Sequence, residues 1–208
     1  MQALAAASLT VANGEFVSVM GPSGSGKSTL LGLIAGLDVP SSGSIHVRGR
    51  CVSSMSDDEA TVFRRQHVGF VFQRFSLLPD LTIEENVGAA LMLDGRGDAE
   101  IQACVEEALR QVALWERRRH LPAEVSGGEL QRAAIARALV AEPAVILADE
   151  PTGNLDSATG ERVLLDMRRT VDEYGRTILL VTHDPIAAAY ADRTVHLRDG
   201  TFQRSSGR

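Results

Sequence analysis

An α/β fold with a mostly parallel sheet, a small antiparallel β portion and an inserted α-helical part is predicted by three observations. A short apolar strand, Phe16–Met20, runs directly into a glycine-rich loop and then a helix. A continuous apolar run, 144–148, and a second buried strand, 177–182, are what central parallel strands covered on both faces require. The stretch from 74 to about 125 is dominated by helical periodicity. With 208 residues, 44% of them hydrophobic and 23% charged, the chain is long enough to bury a substantial core and is ordinary in composition. It reads as one domain spanning 1–208. Its core and β portion come from 1–73 and about 126–208, and its helical subdomain from about 74–125.

Taken in order, residues 8–20 read as a strand, a turn at Asn13-Gly14 and the second strand Phe16–Met20. The helix after the loop covers 27–37. Alternation is irregular over 44–50, a polar helix covers 57–66, and Val68–Phe72 is a buried strand ending at Gln73. Within the insert, Ile83–Leu93 and 99–113 read as helices separated by Gly95 and Gly97; in the second, Ile101, Val105, Ala108 and Val112 share one face. Ser126 is an N-cap for a helix over about 129–140, with Gly127 and Gly128 just before that helix and able to offer N–H groups to an anion. A helix over 158–173, the strand to Thr182 and a last strand over 194–198, closing at Asp199-Gly200, complete the chain.

The loop Gly21, Pro22, Ser23, Gly24, Ser25, Gly26, Lys27, Ser28, Thr29 matches G-x-x-x-x-G-K-[ST] in the strand-to-helix setting the chemistry needs. Glycines let successive N–H groups turn inward around phosphate oxygens, and the following helix adds its positive end. Lys27 is the only lysine among 21 basic residues. Its ammonium can reach β- and γ-phosphates, and the Ser28 hydroxyl can ligate Mg²⁺. Asp149 and Glu150 end the run 144–148, where ligands bind in open α/β sheets. Asp149 is placed to hold Mg²⁺ through its water shell, and Glu150 to orient or deprotonate an attacking water. His183 follows the second buried strand and could either polarise a γ-phosphate or cap the next helix.

Charge and cysteines narrow the classes. The net charge of −6 argues against nucleic acid as the main partner. Cys51 and Cys104 fit no metal spacing and read as free thiols. No run reaches the ~18 apolar residues of a membrane span, and Met1 to Ala7 lack the basic start of a signal peptide. The expectation is a protein held at a membrane only through something embedded there. Arg117-Arg118-Arg119 reads as a solvated face and Trp115 as packing; Tyr190, His46, His67, His120 and His196 form no constellation.

The motifs at 21–28, Gln73, 125–129, 145–150, 153–156 and His183 occur together in the order of an ABC transporter ATP-binding subunit, which nearly the whole chain resembles. The stretches 151–156 and 68–82 look most like the branch serving macrolide export, lipoprotein release and related envelope systems. The resemblance implies an ATPase with a RecA-like P-loop NTPase core, using ATP and Mg²⁺. Gln73 would contact Mg²⁺ alongside Ser28 and Asp149 and report to a transmembrane permease, whose coupling helix would dock near 74–90. Ser126, Gly127 and Gly128 would be the signature motif completing the opposite subunit's site. Asp156 would be the D-loop residue, Glu150 the base and His183 the switch histidine. The working unit would be a homodimer at the cytoplasmic face of the membrane, peripheral through the permease.

Val125 and Glu129 stand where the family usually has leucine and commonly glutamine. The family also places a further strand, bearing an aromatic that stacks on adenine, ahead of the segment resembling 2–11. Nothing before Phe16 is aromatic. Either the true start lies upstream or adenine is held weakly. Two other classes remain: a mechanical or regulatory ATPase acting on envelope or division proteins without transport, and a soluble P-loop or ABC protein of repair or translation. The signature motif disfavours a simple kinase, and the absence of a tandem copy or long coiled coil disfavours the soluble ABC proteins.

Overall fold

The computed structural model describes residues 3–203; Met1, Gln2 and the last five residues of the 1–208 span, and the readings that touch them, lie outside the described residues. Its strands are β1 Phe16–Met20, β2 His46–Val47, β3 Arg50–Cys51, β4 Val68–Phe72, β5 Val145–Asp149, β6 Ile178–Thr182, β7 Arg193–Arg198 and β8 Thr201–Gln203. The helices are α1 Lys27–Ile34, α2 Asp57–His67, α3 Ile83–Leu93, α4 Asp98–Gln111, α5 Gly127–Leu139, α6 Ser157–Tyr174 and α7 Pro185–Ala188.

The main sheet runs β4-β5-β6-β1-β7-β8, parallel except for the β7–β8 hairpin at one edge. Side chains alternate across it, as strand geometry dictates. Phe16, Val71, Ile146, Ala148, Ile178 and Leu180 face the core built with α3, α4, α5 and α6. Val17, Val19, Val145, Leu147, Leu179 and Val181 face Leu30, Leu31 and Ala35 on the α1 side. The apolar runs of β5 and β6 are continuous because both faces are covered.

Register decides where the chemistry falls. Phe72 pairs with Asp149, Asp149 with Val181, and Met20 with Thr182, so the carboxyl ends of β4, β5, β6 and β1 finish level at one edge. Everything the sequence singled out after those strands therefore emerges into one crevice. α5 lies close on β4 because Gly69 has no side chain: a Cβ there would run into the carbonyl oxygen of Ala138 and stand 3.0 Å from its Cβ.

The expected strand within 8–12 does not form. No described strand supplies a ladder partner, without which extended backbone gains no hydrogen bonds. The segment is fastened instead by Ala12 N–H donating to Glu15 Oε2 at 2.7 Å and by the Arg193 guanidinium on Thr10 O. The irregular stretch 44–50 resolves into the β2–β3 hairpin, turned at Arg48 and Gly49 with φ of 46° and 79°. That is the primed geometry that suits hairpin twist. α1 stops at Ile34, short of the expected 37, because Gly36 turns left-handed with φ 65°. No described helix is long and apolar enough to cross a membrane.

Candidate active site

The phosphate loop follows β1 without an intervening residue. Gly24 and Gly26 adopt φ of 80° and 102°, which side chains rarely tolerate. Gly26 is the N-cap of α1 with no side-chain cap, so the first N–H groups of the helix have no side-chain acceptor and suit an anion. A Cβ on Gly21 would strike Leu197 O and lie 2.7 Å from Ser25 Oγ. Lys27 Nζ donates to the carbonyl oxygens of Gly21 at 2.8 Å and Pro22 at 2.9 Å, so the ammonium is held inside the loop.

Ser28 Oγ donates to Asp149 Oδ2 at 3.1 Å, joining the start of α1 to the end of β5. Burial pushes the Asp149 carboxyl above the usual carboxylate range, opposed by the Ser28 hydroxyl; the adjacent Glu150 charge adds to the rise and Lys27 counters it. Glu150 leaves the strand with φ 47°, a conformation that costs of order 1–3 kcal/mol in a non-glycine residue and collects at functional sites. Both of its carboxylate oxygens are held: Oε1 lies 2.7 Å from His183 Nδ1, and Oε2 accepts from Thr182 Oγ1 at 3.0 Å.

The cap of α7 belongs to Asp184, whose Oδ1 accepts from Ile186 N–H at 2.8 Å, with Pro185 first in the helix. Of the two roles open to His183, helix capping is thus filled by its neighbour. The ring instead stands largely exposed beside Glu150.

Gln73 turns to the segment after β5. Its Nε2 donates to Asn154 Oδ1 at 3.3 Å, and Asn154 Nδ2 returns a bond to Gln73 O at 2.9 Å. The structure therefore unites Ser28 with Asp149 and sets Gln73 against Asn154. The backbone on either side of Gln73 is grasped by α5: Gln131 Nε2 donates to Phe72 O at 3.3 Å, and the Arg137 guanidinium to Phe75 O at 2.9 Å and to Ser76 O.

Ser126 caps α5, and Gly127 and Gly128 are its first two residues, inside the helix and not before it. Ser126 forms a full capping box with Glu129: its Oγ and its N–H both donate to Glu129 Oε2 at 2.8 Å, and Glu129 N–H returns to Oγ at 3.4 Å. The Ser126 N–H, then its hydroxyl, hold the Glu129 carboxyl below the usual range, aided by Arg117 and Arg132. Arg117 Nε lies 3.3 Å from Glu129 Oε1, so part of the arginine run expected to be merely solvated is engaged. Arg118 stacks on Trp115, 4.1 Å from the ring centroid.

Asp156 caps α6 by accepting from Thr159 N–H at 3.1 Å; the Thr159 hydroxyl first, and then that N–H, keep its carboxyl below the usual range. It sits near the signature segment of its own chain: a Cβ on Gly127 would be 3.5 Å from Leu155 Cδ2. Among the described residues no hydrogen bond or ion pair links 126–128 to the phosphate loop of the same chain.

Thr182, Gln131 and Arg137 are site residues that sequence reasoning did not single out, while Asn154 entered only within the 153–156 motif and Arg117 only as part of a solvated face. A cavity of about 740 Å³ adjoins the end of the phosphate loop, between 3–11, 38–48 and α1; Thr29 lines it, whereas Lys27, Ser28, Asp149, Glu150 and His183 do not.

The family described as ABC transporter matches residues 4–153. The ABC transporter ATP-binding protein YvcR of Bacillus subtilis is 47% identical over 201 residues, covering 97% of this chain and 78% of its own length. The lipoprotein-releasing system ATP-binding protein LolD of Bacteroides fragilis is 45% identical, covering 97% and 94%. The macrolide export ATP-binding/permease protein MacB of Rhodopirellula baltica is 47% identical over 92% of this chain but only 28% of its own length. A dimeric post-hydrolysis structure of the ATP-binding cassette MJ0796, bound to ADP and Pi, superimposes with a TM-score of 0.86 at 43% identity, over 97% of this chain and 89% of that one.

Proposed function

This chain belongs to the ABC transporter family as one of its ATP-binding, ATP-hydrolysing cassettes, and from that premise we propose that two copies close head to tail around two ATP molecules to drive transmembrane permease subunits. The observation that carries this reading is a division within the chain. The phosphate loop, Asp149, Glu150 and His183 share one edge of the sheet, while Ser126, Gly127 and Gly128 present a helix start with no bond to that loop. A second copy supplies what each lacks. The dimeric MJ0796 structure supports the same assembly.

The geometry supports the following residue roles. Lys27 Nζ, now on the carbonyls of Gly21 and Pro22, turns to phosphate oxygens, joined by the N–H groups of 24–29. Ser28 and Asp149 offer one hydroxyl and one carboxylate, the sparse oxygen set that Mg²⁺ takes when phosphates complete its shell, with Gln73 as a further ligand. Bound Mg²⁺–ATP supplies the phosphoryl group whose transfer to water releases the driving energy. Glu150 accepts the proton of that water, aimed by Thr182 on one oxygen and His183 on the other. Asp156 lies at the subunit boundary beside the signature segment, where it links the two sites.

The helical part, 74–125, carries the motion outward as a subdomain. The Gln73–Asn154 pair and the Gln131 and Arg137 bonds tie its root to the site. Likeness to LolD and MacB supports export or release of an envelope or lipoprotein substrate at the cytoplasmic face. The test is purification of the chain from detergent-solubilised membranes with identification of what accompanies it. A few-helix permease with a large extracytoplasmic domain is expected; recovery of soluble partners alone would overturn the transport reading.

A further inference from the structure

We propose that Glu129, held by Arg117, is a positioning residue that sets how much ATP is needed to close two copies of the chain. The inference rests on the reading of Ser126 as a phosphate donor to the partner's nucleotide. A serine hydroxyl has one proton to give. Here that proton goes to Glu129 Oε2 at 2.8 Å, the same oxygen that also accepts the Ser126 N–H at 2.8 Å. Before Ser126 can donate to a phosphate, the hydroxyl must leave a charge-assisted bond, which is stronger than a neutral one.

The cost has a second part. Glu129 is a full negative charge in the first turn of α5, on the helix end that would meet the partner's phosphates. Arg117 Nε, 3.3 Å from the other carboxylate oxygen, offsets that charge. Arg132 contributes at longer range while donating to Val112 O at 3.3 Å. Glutamine at this position would keep the capping box, because its amide oxygen accepts the same two bonds, but would hold the hydroxyl more weakly and carry no charge. Glutamate therefore raises the ATP threshold, and Arg117 keeps it from rising further. The arginine run and the departure at 129 become one device.

The test measures the ATP concentration giving half-maximal dimer, by light scattering, in the Glu150→Gln background. Glu129→Gln is expected to lower that concentration about threefold or more, and Arg117→Ala to raise it about threefold, within the range of exposed charge pairs. Arg117→Ala added to Glu129→Gln is expected to change nothing further, which a merely structural role for either residue would not produce. The melting temperature of Glu129→Gln, with its capping box retained, checks that the helix start is intact. Any other pattern among dimers that do form overturns the proposal. If no ATP-dependent dimer forms in the Glu150→Gln background itself, the reading of the assembly fails and this inference falls with it.

Discussion

Gly127→Asp separates the phosphate face of α5 from the stability of the helix. The position is free for a side chain: a Cβ there meets nothing nearer than Leu155 Cδ2 at 3.5 Å and Phe75 Cζ at 3.9 Å. The neighbouring Gly128 could not be used in this way, since a Cβ there would collide with Thr159 Cγ2. An aspartate in the first turn interacts favourably with the helix dipole, by about 0.3–1 kcal/mol. The fold should therefore melt at the same temperature as the parent or slightly above it.

Closure of the dimer should suffer. A carboxylate about 5 Å from a phosphate charge costs roughly 1–3 kcal/mol per pair, for effective dielectrics between those of water and of a protein surface. That corresponds to about a five- to 150-fold rise in the ATP needed for dimers. Light scattering against ATP concentration, together with a thermal melt, reads both quantities. Dimers at the parent's ATP concentration would refute the placement of 126–128 on the partner's phosphates. A melt several degrees lower would refute the space assigned to position 127.

Glu150→Gln should retain ATP, accumulate dimers and hydrolyse about 10²- to 10⁴-fold more slowly, the usual contribution of a general base; turnover at the parent rate would remove Glu150 from that role. Asp149→Asn tests the half-buried carboxyl. An acid whose folded form titrates above its unfolded form binds its proton more readily when folded, so the fold loses stability as pH rises through that interval and carries the penalty at neutral pH. The variant should melt higher than the parent at pH 7, lose the difference below about pH 3 where both carboxyls are protonated, and lose Mg²⁺-dependent hydrolysis. A lower melt at pH 7 would contradict the assigned direction. Gly69→Ala should destabilise the chain by about 1–3 kcal/mol through overpacking of α5 on β4, visible in urea denaturation; an unchanged midpoint would mean α5 can shift freely.

Much of this was legible in the chain because the signals are local. The phosphate loop, the apolar runs of β5 and β6 and the carboxylates that end β5 are each written in a few consecutive residues. The capping box at Ser126 was equally local, as serine followed three residues later by glutamate, the same spacing that caps α2 at Ser56 and α3 at Thr82. Reading Ser126 alone as the cap left the role of Glu129 unseen. Other parts depend on pairings that no local pattern carries. The Gln73–Asn154 bonds join residues 81 apart in sequence, and Thr182 faces Glu150 only because β5 and β6 are in register. The expected strand over 8–12 failed for the complementary reason: its alternation was suitable, but a strand exists only with a partner beside it.

The claim that each ATP site is shared between two copies is tested most directly by mixing two variants, each defective in one half of the site, at an ATP concentration that closes the parent but not Gly127→Asp. Lys27→Ala removes the phosphate loop's cation and leaves the signature intact; Gly127→Asp does the reverse. In a mixed pair, one site combines both defects and the other combines both intact halves. With random pairing of equal amounts, hydrolysis should recover to about a quarter of the parent value, as an assembly closed by symmetry dictates. If each chain completed its own site, every site in the mixture would keep a defect, and no recovery would be seen.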